Sequence, residues 1–196
     1  MNRREWLKSM SALAIGAIAG PSLFAVFDAH AESQKPDAKP QFFDPAQYSL
    51  VGAVSQIIIP RTDTPGAVEA GVPLFVDQLF KAVYAKPDQA RYLTAMAAFD
   101  KAGGKPFMQL DDAQRKALVT RLHAEALAVP KGGKPAPAAD FVLMSKKLTM
   151  LGFFLSQPGC TQVLQYDPVP AAWKADIPLA QAGNGRAWAV EAELKI

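Results

Sequence analysis

The chain has 196 residues, 21 of them Lys or Arg and 18 Asp or Glu, for a formal net charge of +3. Half of it is hydrophobic and it holds a single cysteine. These values exclude a disordered chain, an internal disulfide framework, an all-cysteine metal or iron–sulfur site and haem attached through Cys-x-x-Cys-His, and a charge so small and evenly spread leaves no footprint for nucleic acid.

The first 31 residues form an export signal. Arg3-Arg4-Glu5-Trp6-Leu7-Lys8 is followed by uncharged residues from Ser9 to Phe27 and then by Ala29-x-Ala31. A basic start, a modest apolar stretch and an Ala-x-Ala site are the three parts of a secretory signal, with cleavage expected after Ala31. Paired Arg3 and Arg4, with Trp6, Leu7 and Lys8 at their offsets, make it the twin-arginine kind. Nineteen uncharged residues are also just long enough for a retained anchor. Gly16, Gly20, Pro21 and the Ala31 site favour cleavage instead. Three basic and two acidic residues leave with the signal, so residues 32–196 carry +2. A domain of that size buries roughly 70% of its unfolded surface. No second apolar run reaches 18 residues, since Lys146-Lys147 interrupts the longest, so membrane association is expected only through partners. The localisation expected is the periplasm, either free or at the periplasmic face of the inner membrane. The twin-arginine route carries proteins that are already folded, commonly around a cofactor, yet this chain has no cofactor motif.

Residues 32–43 read as an irregular leader. Asp44-Pro45 supplies an N-cap and a proline at the first helical position. Leu50, Val51, Val54, Ile57 and Ile58 then recur at helical spacing up to Pro60. A second helix opens at Pro73, with Leu74, Phe75, Leu79 and Val83 on a stripe beside Phe80 and Tyr84. The third runs from Pro87-Asp88 to Ala102 with Tyr92, Leu93, Met96 and Phe99 inward, and Gly103-Gly104 ends it. Asp111 and Gln114 form a capping-box variant for the fourth, whose face is Leu118, Val119, Leu122 and Ala126. Residues 130–138 are a loop rich in Pro and Gly. The fifth helix, 139–155, places Met144, Leu148, Leu151 and Leu155 on its inner stripe. After Gln157 the prolines multiply. The expectation is one all-α domain over 32–196, of about five helices, with a long irregular arm at 157–196.

Catalytic signatures are scarce. Past the signal one histidine remains, His123, with no His or Cys four residues away, and it reads as structural. Gly-x-Ser-x-Gly, His-Glu-x-x-His and the phosphate-binding loop are absent. Gly183-Asn184-Gly185 lacks the third glycine and the preceding strand of a dinucleotide site. Asp63, Glu69 and Asp77 flank one loop, where turn and cap roles compete with a metal. Cys160, just past the fifth helix, is read either as a buried thiol or as a bridge to a partner. The loop between the first two helices is the most unusual segment. Pro65-Gly66 suits the centre of a type II turn, and Gly71 permits a left-handed residue before Pro73. A rigid exposed loop of this kind serves either as a simple connection or as a docking surface.

These residues carry a family resemblance. Ile58-Ile59-Pro60-x-Thr62-Asp63-Thr64-Pro65-Gly66-Ala67, with Ala70-Gly71-Val72 and Phe75-x-Asp77, closely resembles the gluconate 2-dehydrogenase subunit 3 family. Leu151-Gly152-Phe153-Phe154-x-Ser156-x-x-Gly159, Leu164-x-Tyr166-Asp167-Pro168-Val169-Pro170 and residues 185–188 are similar to it too, whereas Ala171 departs from its usual glycine. The resemblance implies a non-catalytic small subunit with no cofactor or metal of its own. It implies an FAD-containing glucose–methanol–choline-type dehydrogenase partner and a c-type cytochrome partner carrying haem c. It also implies that the small subunit lends its export signal to the flavoprotein and stabilises it. Pro60, Thr62, Asp63, Thr64, Pro65, Gly66, Gly71, Cys160, Tyr166 and Pro170 are then the interface candidates. Segments 32–43 and 157–196 read as arms that wrap the partner, because Phe42, Phe43, Trp173 and Trp188 lack an evident place in a small domain. The alternative is a stand-alone periplasmic ligand-binding protein or enzyme, whose pocket the sequence does not display.

Overall fold

Asp44 starts the first helix with a reciprocal cap. Its carboxylate accepts the Gln47 N–H at 2.8 Å, and the Gln47 side chain accepts the Asp44 N–H at 3.1 Å. The computed structural model describes residues 39–130 and 132–165, together with 178, 185 and 186. Within them, α1 spans Pro45–Ile58, α2 Val72–Ala82, α3 Lys86–Lys101, α4 Asp112–Leu127 and α5 Pro137–Leu155. The all-α reading with five helices holds.

Local chemistry sets most boundaries. Pro60 cannot extend α1, whose last cap bond runs from the Ile59 N–H to the Ser55 carbonyl. Gly71, at φ 77°, opens α2 in the left-handed region, and Pro73 follows in its first turn. Asp88 and Lys101 stand at the ends of α3 that the helix dipole favours. Asp111 and Gln114 make the expected reciprocal cap on α4. Two short elements were not expected. Phe107–Gln109 form a 3-10 turn held by Asp100, which accepts the Phe107 N–H at 2.8 Å. Gly159–Val163 form a π-helical turn at the start of the segment expected to be irregular.

α5 is the axis of the fold, packing against α1, α2, α3 and α4. Its inner stripe therefore differs from the one the spacing suggests. Phe141, Val142, Ser145, Leu148, Thr149, Gly152 and Phe153 are buried, whereas Met144, Leu151 and Leu155 are half-buried. A helix with neighbours on several sides needs no narrow apolar stripe, so the spacing of leucines misleads. Small polar residues face inward because they find partners. Tyr92 OH pairs with Ser145 Oγ at 3.0 Å, and Thr149 Oγ1 donates to Ser55 Oγ at 3.1 Å.

An aromatic row crosses the core. Phe42 stacks on Phe80 at 5.4 Å between centroids, Phe80 meets Tyr92 at 4.4 Å, and Tyr92 meets Phe141 at 5.2 Å. Phe99 continues it at 4.8 Å from Phe141 and ends against Phe107 at 4.9 Å. Such pairs contribute about 0.5–1.5 kcal/mol each beyond the area they bury. The described end of the leader, residues 39–43, thus departs from its reading as part of a partner-wrapping arm, while residues 32–38 lie outside the described residues. Phe43 is buried in the chain's own core and Phe42 packs against it. Trp173 and Trp188 lie outside the described residues.

Candidate functional site

The loop between α1 and α2 is built on hydrogen bonds that return to its own base. Ala67 N–H donates to the Ile59 carbonyl and Val72 N–H to the Ala67 carbonyl, both at 3.0 Å. Ala70 N–H and Gly71 N–H reach the carbonyls of Gly66 and Val68, also at 3.0 Å. One carboxylate ties both ends. Glu69 Oε1 receives Arg61 Nη1 at 2.5 Å, while Oε2 accepts the Gly66 N–H at 3.1 Å. From below, Gln56 of α1 accepts the Val68 N–H at 3.2 Å.

Gly66 differs from its expected role. It is not among the glycines with positive φ, so Pro65-Gly66 does not form the type II turn that its sequence suggests. Its glycine is required by crowding instead. A Cβ there would lie 2.7 Å from the Arg61 backbone nitrogen and 2.7 Å from the Gln56 side-chain nitrogen.

The interface candidates divide into what the loop shows and what it uses. Pro60, Thr62 and Asp63 are exposed, Thr64 and Pro65 half-exposed, and Gly66 buried. Thr62 Oγ1 donates to Asp63 Oδ1 at 2.9 Å, which occupies the Thr62 hydroxyl proton. Val68 adds an apolar side chain that is 48% exposed, beside the salt-bridged Glu69. Gly71 lies at the foot of α2, so the motif ends in a helix start. Cys160 is far along the chain, in the π turn, where its thiol donates to the Phe154 carbonyl at 2.9 Å. Burial pushes that thiol above its ordinary pKa. Tyr166, Pro170, Arg3, Arg4, Trp6, Leu7, Lys8 and Ala31 lie outside the described residues.

Asp77 is the residue whose role the sequence least reveals. It is fully buried on α2 and accepts three successive backbone N–H groups of the leader. Gln41 reaches Oδ2 at 2.6 Å, and Phe42 and Phe43 reach Oδ1 at 3.0 and 2.8 Å. Asp63, Glu69 and Asp77 thus serve separate purposes. Among the described residues no three His, Cys, Asp or Glu side chains are grouped to hold a metal. The one visible hint is an acid in the run Val72–Phe80, apolar but for Asp77 and Gln78, where only a satisfied carboxylate is stable. Nearby, Tyr48 is pushed above the usual phenol range by burial first and by the Asp77 charge second.

A groove of about 440 Å³ lies between the end of α2, the start of α3 and α5. Phe80, Tyr84, Leu148 and Leu151 line it, with the Arg91–Asp140 ion pair among its polar groups. Arg91 forks onto both Asp140 oxygens at 2.7–2.9 Å, so its charge is already spent within the chain. His123 is likewise engaged, since Lys146 Nζ donates to its Nε2 at 3.0 Å.

The family model for gluconate 2-dehydrogenase subunit 3 matches residues 45–170. The chain belongs to that family. The matched stretch opens on the first residue of α1 and takes in all five helices and the braced loop. No curated protein and no solved structure matches the chain. Among the described residues, no helix is long and apolar enough to cross a membrane. For this subunit-3 family member the loop's exposed crest and the π turn hold the interface candidates that the structure describes.

Proposed function

We propose that this gluconate 2-dehydrogenase subunit 3 family member is a non-catalytic accessory subunit of a periplasmic FAD-dependent dehydrogenase complex. Its catalytic partner is a flavoprotein of the glucose–methanol–choline type, and a c-type cytochrome subunit takes the electrons onward. The small subunit carries the twin-arginine signal for both itself and the flavoprotein, and it holds the flavoprotein in a stable complex. The supporting observation is the union on one chain of the family domain at 45–170 with Arg3-Arg4 ahead of it. FAD must be inserted before export, which explains why a chain without a cofactor motif bears a signal for folded cargo. The pre-formed crest around Thr62, Asp63 and Val68 suits protein docking, because little conformational entropy remains to be lost there on binding.

The test is Arg3→Lys together with Arg4→Lys in cells that make the whole complex. Both this subunit and the flavoprotein should then stay in the cytoplasm. A flavoprotein that still reaches the periplasm overturns the carrier role.

A further inference from the structure

The leader strap has a geometry that the accessory role does not by itself require. Residues 41–43 precede the first helix and lie just ahead of the family-matched stretch. Three consecutive N–H groups there converge on one carboxylate that is 34–36 residues away in the chain. Asp77 is fully buried, and its neighbours Phe75 and Val76 are 1% exposed. Phe75 in turn sits against Gly152 of α5. The acceptor therefore comes into place only when α2 has packed into the domain. Until then the leader has no local helix or strand to satisfy its donors, and Phe42 and Phe43 have no Phe80 or Tyr92 to cover them.

Resting on the export reading above, we propose that Asp77 is a positioning residue that makes ordering of the signal-bearing leader conditional on completion of the fold. Only nine residues, 32–40, separate Ala31 from Gln41. Even fully extended they span on the order of 30 Å. The strap is thus a folding report placed within one domain diameter of the signal. In a folded subunit residues 41–43 are bound, Phe43 is buried and Phe42 is half-buried against Phe80. In an incompletely folded one, two adjacent phenylalanines stand open directly behind a signal meant for folded cargo.

Asp77→Asn tests this with the full chain. The variant keeps the shape but replaces one acceptor oxygen with a donor facing the strap. Amide exchange at Gln41, Phe42 and Phe43 should accelerate at least about tenfold, while the amides of α5 keep their protection. Periplasmic yield should fall at least about threefold at equal synthesis, because loss of a charge-assisted contact releases the leader in most molecules. Gln41→Pro, which removes the shortest strap donor and leaves α2 untouched, should speed exchange at Phe42 and Phe43 and lower the periplasmic yield in the same way. Unchanged exchange at 41–43 overturns the strap. Faster exchange with unchanged export overturns the coupling, and loss of α5 protection in both variants overturns it too, making Asp77 a general core element. The Arg3→Lys, Arg4→Lys chain runs alongside. If that chain is exported normally, the twin-arginine reading itself has failed, whatever the strap does.

Discussion

Phe75 and Gly152 interlock across the α2–α5 contact: a Cβ at position 152 would lie 2.6 Å from Phe75 Cδ1. Phe75 is 1% exposed, so its ring has nowhere to turn. Gly152→Ala therefore sets a helix-propensity gain of about 1 kcal/mol against overpacking of about 1–3 kcal/mol. Overpacking should win, with a net loss of roughly 1 kcal/mol. Urea midpoints would show it, and in a Phe75→Leu background Gly152→Ala should become neutral or stabilising. Equal costs in both backgrounds would mean that the two residues are not coupled.

The Tyr92 hydroxyl gives the fold a signature at alkaline pH. Burial raises its pKa far above the ordinary phenol value, against which the Ser145 hydrogen bond works only in part. Folding then favours the protonated form. Its contribution is complete below about pH 10, the unfolded value, and declines above it as the unfolded chain loses the proton first. Tyr84 adds to the same trend, raised by burial and then by Asp88. Tyr92→Phe should cost about 1 kcal/mol at pH 8 by leaving Ser145 without its partner. Between pH 9.5 and 11 its denaturation midpoint should fall less steeply than the wild-type midpoint. Parallel slopes would remove Tyr92 as a source of the alkaline loss.

Much of this fold is legible in the sequence because its boundaries are chemical. Asp44-Pro45, Pro60, Gly71 before Pro73, Gly103-Gly104 and Asp111 with Gln114 each mark an end that the backbone needs satisfied. Faces were legible where a helix has one buried side, as in α4, whose Leu118, Val119, Leu122 and Ala126 are all buried as read. They were not legible in α5, which is enclosed by four helices and hides Ser145 and Thr149 behind partners from α3 and α1. Gly-Gly-Lys-Pro occurs twice, at 103–106 and 132–135, yet the two turns differ, since the second glycine (Gly104) has positive φ in one and the first (Gly132) in the other. Asp77 shows the deeper limit. Its chain position says only that an acid lies in an apolar helix. The donors that make it stable come from a segment with no pattern of its own.

Gly66 and Gly71 lie in one motif but resist substitution for different reasons. Gly71 sits at φ 77°, a conformation asparagine tolerates better than branched residues. Gly71→Asn should therefore cost clearly less than Gly71→Val, by about 1 kcal/mol. At Gly66 the obstacle is space, and the Arg61 backbone nitrogen at 2.7 Å cannot swing away as the Gln56 side chain can. Gly66→Ala and Gly66→Asn should both cost about 1–3 kcal/mol, with little to separate them. Thermal melts of the four variants provide the comparison. A Gly66→Asn chain as stable as wild type would show that crowding does not fix that glycine.

Cys160 is held in a way that bears on the two readings of a lone thiol. Its backbone N–H donates to the Ser156 carbonyl at 2.9 Å within the π turn, and its thiol points back at the Phe154 carbonyl. Gly159 permits this tight turn, since a Cβ there would run into the Phe153 carbonyl oxygen. Burial keeps water from the thiolate, which is why the pKa is raised, and the thiol proton is engaged by the Phe154 carbonyl. Attack on a disulfide or an alkylating reagent needs that thiolate. Iodoacetamide at pH 8 should therefore modify the folded chain at least about fivefold more slowly than the unfolded one. A complex isolated without reductant should show no cross-linked band on a non-reducing gel. An alkylation rate equal to that of the unfolded chain would mean that the Phe154 contact does not restrain the thiol. A partner-sized band that is lost in Cys160→Ser would establish the bridge instead.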